Sequence, residues 1–126
     1  MALINSIGLE NAITVGHEEN TPDAYVFIIR LEPPYEHLLH LKREMEGKSM
    51  SDAQAILEVP NQNKKSVDYM AVMNQEFGIA RDGGGFYAYP WQTIEENPKT
   101  YLKVSFSKPF TYAGKSYYLG SGYLIR

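Results

Sequence analysis

The chain has 126 residues, enough for one hydrophobic core and too few for two, so we expect a single domain over residues 1–126. Its formal net charge of -3 offers no basic surface, and no nucleic-acid partner is expected. The sequence contains no cysteine, which excludes disulfides and cysteine metal sites but does not identify the compartment.

The first part of the chain predicts one helix and two strands. Apolar residues recur at helical spacing over residues 2–15, and the turn-forming segment ENTPD ends this pattern. The run AYVFIIRL, residues 24–31, is rich in β-branched and aromatic residues, which is typical of a buried strand. PPYE then turns the chain, and HLLH, residues 37–40, is expected to return as a short antiparallel strand.

Two helices are predicted in the middle of the chain. The segment from Ser51 to Gln54 has the spacing of a capping box, which predicts a short helix over residues 52–58. The next helix is expected to have Ser66 as its N-cap and to stop at Gly78.

The last third predicts three strands and holds most of the aromatic residues. These strands cover residues 85–91, 100–109 and 116–125, and TYAGK is the hairpin turn between the last two. The glycines at 83–85 lack a P-loop lysine, so we expect a flexible entry to a strand rather than a phosphate-binding loop. The elements together predict an α+β domain with helices on one or both faces of an antiparallel sheet.

Alternation divides the first two of these strands into two faces. The face expected to be core is apolar: Phe86, Ala88, Leu102, Val104 and Phe106. The other face combines aromatic rings, hydroxyls and one ammonium: Tyr87, Tyr89, Trp91, Tyr101, Lys103, Ser105 and Ser107. That combination is typical of a pocket for a small ligand.

Six segments, in their order and spacing, resemble the single Cache domain, the PAS-like extracytoplasmic sensor module of bacterial chemoreceptors and sensor kinases. LINSIGLENAI is similar to the end of that family's long first helix, DAYVFI to its first strand, and LLHLKREMEGKSM keeps its His and Gly-Lys. GGGFYAYPW, KVSFSK and YYLGSGYLI are similar to its aromatic, lysine and closing strands. The resemblance implies a PAS-like antiparallel sheet of about five strands, with an N-terminal helix and two helices between strands.

The sequence also departs from the family pattern. Leu41 stands where the family usually has Pro, Phe86 replaces a Trp, and Phe106 replaces the Tyr of the lysine strand. EPPYE replaces the usual Asp-Gly turn. We therefore expect the pocket to keep the family's location but to differ in shape and to lose a hydroxyl.

The candidate ligand contacts lie on the aromatic face, on the first strand and at the family's His: Tyr25, His40, Tyr87, Tyr89, Trp91, Tyr101, Lys103 and Ser105. An ammonium beside hydroxyls in a partly dry cavity suits a carboxylate, because a charge-assisted hydrogen bond is strong there. We predict a small organic acid as the ligand, no cofactor, and a sensing role without catalysis. The resemblance implies an extracytoplasmic (periplasmic) location, an attached or partner membrane receptor, and a targeting or membrane segment outside this chain.

Other interpretations remain open. Lys103 alone is also typical of an exposed strand lysine, and His40 of a core histidine. A free-standing periplasmic binding protein of the same fold fits the same residues. A small α+β enzyme could use His40 and Glu44 as acid and base on a carbonyl compound. The aromatic face could instead be the interface of a homodimer.

The spacing of the remaining histidines and carboxylates does not predict a metal site or an acid-base pair. His37 and His40 do not form a helical metal pair, and no carboxylate cluster accompanies them, so no metal is expected. Glu95 and Glu96 follow Thr93 with the spacing of a helix cap, which favours a one-turn cap over an acid-base pair.

Overall fold

The structure is a computed structural model, and it describes residues 4, 7–21, 25–52, 69–92 and 100–125. Its helices are α1, Leu9–Glu19, and α2, Tyr69–Arg81, and a short 3-10 helix covers Arg43–Met45. Its strands are β1 (Tyr25–Arg30), β2 (His37–Leu39), β3 (Gly85–Gln92), β4 (Thr100–Tyr112) and β5 (Lys115–Ile125).

The strands form one antiparallel sheet in the spatial order β2-β1-β5-β4-β3. The last strand of the chain is therefore central, between β1 and β4. A turn at Ala113 and Gly114, with φ values of 52° and 77°, joins β4 to β5. Positive φ at both positions is the type I′ geometry that matches the twist of the strands. The predicted antiparallel sheet and the hairpin at TYAGK are both confirmed.

The predicted first helix is interrupted and ends later than expected. It was expected over residues 2–15; Ile4 and Ile7 are helical, and the continuous helix is Leu9–Glu19. Gly8 has a φ of 88°, which a right-handed helix does not allow, so it interrupts the helical backbone just before Leu9. At the other end the N–H of Asn20 donates to the carbonyl of Gly16 at 2.9 Å, and Asn20 itself is extended.

Helix α2 continues past Gly78, where the sequence predicted its end. It closes in a Schellman motif, in which the N–H of Gly84 donates to Ile79 O at 2.9 Å and that of Gly83 donates to Ala80 O at 3.3 Å. Gly83 has a φ of 106°, the left-handed conformation that this cap requires. The first of the glycines therefore ends a helix, which corrects the expectation of a flexible entry to β3.

The helix predicted from the capping box begins two residues earlier than expected. Residues 50–52 are helical, and the N–H of Asp52 donates to Ser49 Oγ at 3.3 Å. Ser49, rather than Ser51, is therefore the N-cap. The remainder of that predicted helix, the predicted N-cap Ser66 and the cap predicted at residues 93–96 lie outside the described residues.

The two helices pack on opposite faces of the sheet. Helix α1 packs on β1 and β2, and α2 packs on β3 and β4. Strand β1 contributes to both layers, because Phe27 and Ile29 join Phe77 on one face while Ile28 joins Leu39 on the other. Burial on both faces explains why the sequence of β1 is apolar without alternation.

The face of β3 and β4 that was predicted to be apolar core is instead exposed. Phe86 is 72% exposed and Leu102 is 47% exposed, and Val104 and Phe106 are only partly buried. Helix α1 lies mainly over β1 and β2, at the other end of the sheet, so it leaves this face uncovered. The division into two faces was correct, but the buried face is the polar, aromatic one.

Candidate functional site

Lys103 stands on the buried face of β4. It pairs in register with Tyr89 of β3. Its Nζ lies 5.9 Å from the centre of the Tyr89 ring and 5.6 Å from that of the Tyr25 ring on β1. The face of an aromatic ring attracts an ammonium at such distances. Strands β1 and β3, which lie on opposite sides of the central β5, thus each supply an aromatic ring beside the lysine of β4.

The ammonium of Lys103 stays protonated in this setting. Burial alone lowers the pKa of Lys103, but Tyr89, Tyr25 and Glu76 nearby outweigh burial and raise the pKa above its usual value. A hydrogen bond between the ammonium and the Tyr25 hydroxyl acts in the same direction. The site therefore carries a positive charge at physiological pH.

Hydroxyl groups extend the site along β3 and β4. Tyr89 Oη and Ser105 Oγ are 3.1 Å apart, and both residues are buried. The ring of Tyr87, which pairs with Ser105, stacks on the Tyr89 ring with 5.5 Å between centroids. Ser107 is also fully buried on this face. The buried strip therefore combines aromatic rings with hydroxyls, as alternation predicted.

Two glycines of β5 make room for these side chains. Gly122 pairs with Ser105, and a Cβ there would lie 3.0 Å from both Lys103 Cε and Ser105 Oγ. A Cβ at Gly120 would clash with the ring of Phe27. The side chains of β1 and β4 can therefore lie across the central strand, and larger residues in β5 would displace them.

Gly120→Ala is expected to lower the free energy of unfolding by about 1–3 kcal/mol, the range for overpacking a core. The added methyl group would meet the buried, rigid ring of Phe27. Chemical denaturation of both proteins measures the difference. Gly78→Ala is the matched control, because no atom lies within 4 Å of its Cβ and alanine favours a helix. Equal stabilities for Gly120→Ala and wild type would contradict the close packing.

His40 adds a neutral donor at the β2 end of this face. Its ring lies 6.4 Å from that of Phe27, and its Nδ1 accepts the N–H of Lys42 at 2.9 Å, which leaves the proton on Nε2. Burial lowers the pKa of His40 to about 4, and the electrostatic effects of His37 and Lys103 act in the same direction. His40 is therefore neutral at physiological pH and can donate one hydrogen bond from Nε2.

The carboxylate that contacts His40 is Glu46. Its Oε2 accepts the backbone N–H of His40 at 3.0 Å and lies 2.6 Å from Nε2 of His17 on α1. Glu44, the predicted acid-base partner of His40, has its Oε1 3.4 Å from Lys42 Nζ and is exposed. Glu46 therefore joins the end of β2 to α1, and Glu44 belongs to a surface ion pair.

Helix α2 adds a carboxyl that the sequence-based prediction missed. Glu76 is 2% exposed. Burial raises the pKa of Glu76 to about 7, while the Tyr87 and Tyr118 hydroxyls and the charge of Lys103 oppose that rise. Near neutral pH this carboxyl is therefore divided between its charged and neutral forms.

A sequence signal for Glu76 existed. The buried residues of α2 include Met73, Phe77 and Ala80, which recur at helical spacing, and Glu76 falls on the same face. A glutamate is seldom fully buried without a function or a partner. Its position on the apolar side of a helix thus marked it as a candidate.

The structure brings most of the predicted site residues to one face: Tyr25, His40, Tyr87, Tyr89, Lys103 and Ser105. Trp91 and Tyr101 pair in register on the same two strands, and their side chains lie outside the described part of the structure. Tyr87 and Tyr89 are each 7% exposed within the single chain, so these two side chains are not available to a dimer interface.

The departures from the family pattern at Phe86 and Phe106 do not reach this site. Their rings pack on each other at 4.7 Å between centroids, on the exposed face of β3 and β4. The expectation that these replacements change the pocket or remove a hydroxyl from it was therefore wrong. It failed because it placed exposed positions in the pocket wall.

The opposite face of the sheet holds a cavity. A space of about 360 Å³ lies under α1, and its lining is mainly aliphatic, including Ile7, Val26 and Leu119. Glu19 is the charged residue of that lining, so the cavity does not suit an anion. The described residues contain no group of three or more His, Asp or Glu side chains arranged to hold a metal ion. No described helix is long and apolar enough to cross a membrane.

No protein-family model matches the chain, and no curated protein matches it. Solved structures that are similar in fold include the following two. One is a Cache chemosensory domain described in terms of carboxylic acid recognition, with a TM-score of 0.59 and 21% identity, covering 98% of this chain and 78% of that chain. The other is the LOV protein of Rhodobacter sphaeroides, with a TM-score of 0.51 and 11% identity, covering 92% of this chain and 65% of that chain. With the observed sheet order, these similarities confirm that the chain folds as a single Cache/PAS-like domain.

Proposed function

We propose that this domain binds a small carboxylate and acts as a sensing module rather than an enzyme. The observation that carries the proposal is the protonated Lys103, held beside the hydroxyls of Tyr25, Tyr89 and Ser105 on a largely buried face. A charge-assisted hydrogen bond is roughly twice as strong as a neutral one. A carboxylate can accept hydrogen bonds from the ammonium and from hydroxyls at the same time.

Other ligand classes match these groups less well. An amine would meet the positive charge of Lys103, and a neutral sugar offers no negative charge to interact with it. The neutral His40 can donate a further hydrogen bond to an oxygen of the ligand. The similar Cache domain is described as recognising carboxylic acids, which supports the same ligand class for this chain.

We further propose that binding is transmitted to helix α1. Glu46 accepts a hydrogen bond from His40 beside the site and contacts His17 on α1 through the same oxygen. A ligand that moves His40 would therefore alter the contact between Glu46 and His17. Such a shift between two arrangements of α1 is the signal that an attached receptor would detect.

The setting that we propose is extracytoplasmic, in a bacterial chemoreceptor or sensor kinase. The resemblance of six sequence segments to single Cache domains supports it. A free-standing periplasmic binding protein would use the same site. The alternative of an enzyme using His40 and Glu44 is not favoured, because Glu44 pairs with Lys42 and Nδ1 of His40 already accepts a hydrogen bond.

A thermal-shift screen tests the ligand class. Small carboxylates, amino acids, amines and neutral sugars are compared at equal concentration. The largest rise in melting temperature is expected with a carboxylate, because a ligand that binds only the folded state stabilises it by mass action. Stabilisation by amines or neutral sugars alone would contradict the role given to Lys103.

A further inference from the structure

Three buried polar atoms on the α2 face of the sheet make no hydrogen bond with any described residue: Glu76 Oε1, Tyr87 Oη and Ser107 Oγ. Their residues are 2%, 7% and 0% exposed, respectively. The Tyr87 hydroxyl lies close enough to the Glu76 carboxyl to lower its pKa in the manner of a hydrogen-bond donor, yet neither Tyr87 Oη nor Glu76 Oε1 has a partner at full hydrogen-bonding geometry. Leaving buried polar atoms unsatisfied is costly, so such a cluster is typical of a place that receives a polar group from outside the protein.

Glu76 interacts electrostatically with groups on three strands. Tyr87 of β3, Lys103 of β4 and Tyr118 of β5 all act on its carboxyl. Lys103 is the cation among these groups, and it is also the residue on which the proposed carboxylate site depends. Glu76 and the ligand would therefore both interact with one positive charge.

We propose that Glu76 belongs to the carboxylate site and takes up a proton when a carboxylate binds at Lys103. The inference rests on the proposed function. Without a ligand, Lys103 favours the charged form of Glu76. A bound anion offsets that positive charge and adds a negative charge near a buried carboxyl, so the neutral form of Glu76 is favoured. Once protonated, Glu76 can donate a hydrogen bond to an oxygen of the ligand.

This arrangement selects among carboxylates. A ligand with a single carboxylate needs one cation, and protonation of Glu76 removes the competing charge. A dicarboxylate would bring a second negative charge, and no second cation is among the described groups that act on Glu76. The structure therefore favours monocarboxylates over dicarboxylates.

Proton uptake makes the affinity depend on pH in a defined window. The pKa of Glu76, about 7 without ligand, places that window at and above neutral pH. Above this pKa the dissociation constant rises tenfold for each pH unit, because one proton must be taken from solution for each ligand bound. His40, with a pKa of about 4, and Lys103, with a raised pKa, keep their charge states through the same window.

Titration calorimetry with acetate, propionate and the most stabilising carboxylate of the screen tests the proposal. The wild-type dissociation constant is expected to rise roughly 30-fold between about pH 6 and about pH 8.5. Binding enthalpies compared between buffers of different ionisation enthalpy should show that one proton is taken up per ligand at the higher pH. Glu76→Gln keeps a neutral side chain of the same shape, so its affinity should change little with pH and its proton uptake should disappear.

Glu44→Gln is the matched control, since it removes an exposed carboxylate, and it should keep the wild-type pH dependence. Wild-type affinity that does not change with pH would overturn the role of Glu76 while leaving the proposed function intact. Equal pH dependence in wild type and Glu76→Gln would do the same. If no carboxylate binds the wild type even at about pH 6, where Glu76 is mostly neutral, the proposed function itself fails.

Discussion

Lys103→Met is expected to weaken binding of the stabilising carboxylate by about 10- to 150-fold, because losing a hydrogen bond to a charged group costs about 1.5–3 kcal/mol. Methionine keeps most of the volume of the lysine stem. The packing of the aliphatic stem should therefore survive, whereas the contacts of Nζ with the Tyr25 and Tyr89 rings are lost together with the charge. Titration calorimetry of both proteins with the same ligand measures the change.

Lys108→Met provides the matched control for this experiment. Lys108 lies on the same strand, is exposed, and alternation places it on the opposite face from Lys103. The same substitution there should leave the affinity within experimental error. Unchanged affinity in Lys103→Met would show that the anion is held elsewhere, for example by His40 or by backbone N–H groups.

The strands and the pairing of their residues on one face were predictable from local sequence. β-Branched and aromatic runs bounded by turn residues gave every strand of the sheet, with small differences at the ends. The period of two in β4 placed Lys103 and Ser105 together, and the register with β3 brings Tyr89 and Tyr87 beside them. The order of the strands was not predicted, because local patterns do not determine how distant strands pair.

Which face is buried could not be derived from alternation. The apolar side of β3 and β4, with Phe86 and Leu102, looked like core because apolar residues usually are. Burial depends instead on which face a helix covers, and α2 covers the side with tyrosines and serines.

The end of α2 was mispredicted because glycine can occur inside a helix as well as in its C-terminal cap. Gly78 was expected to stop α2, yet it lies on an exposed side of the helix, and Gly83 is the residue with the left-handed conformation. Glu76 was missed for a related reason. With the helix predicted to end at Gly78, Ala80 falls outside it. The alignment of Glu76 with Met73 and Ala80 on one helix face is therefore not visible in the predicted helix.

Glu76→Gln is expected to be more stable than wild type by about 3 kcal/mol near pH 8 and to differ little from it near pH 5. Burial raises the pKa of Glu76 from 4.5 to about 7. A carboxyl with a raised pKa in the folded state contributes stability that is complete below the unfolded pKa and is lost as the pH rises through the folded pKa. Wild type should therefore lose stability between about pH 4.5 and about pH 7. Glutamine, which is neutral throughout, should not share this loss.

Urea denaturation of both proteins without ligand, at several pH values, measures this difference. Titrations shared by the two proteins cancel in the comparison, so the difference isolates Glu76. Glu44→Gln should run parallel to wild type, because Glu44 is exposed in its pair with Lys42. The expected change is a large part of the 5–15 kcal/mol that typically stabilises a domain, roughly a fifth to three fifths of it. A stability difference between Glu76→Gln and wild type that stays constant from about pH 5 to about pH 8 would show that Glu76 keeps its charge in the folded protein. The buried carboxyl would then be held ionised by Lys103 and could not serve as the proton acceptor for ligand binding.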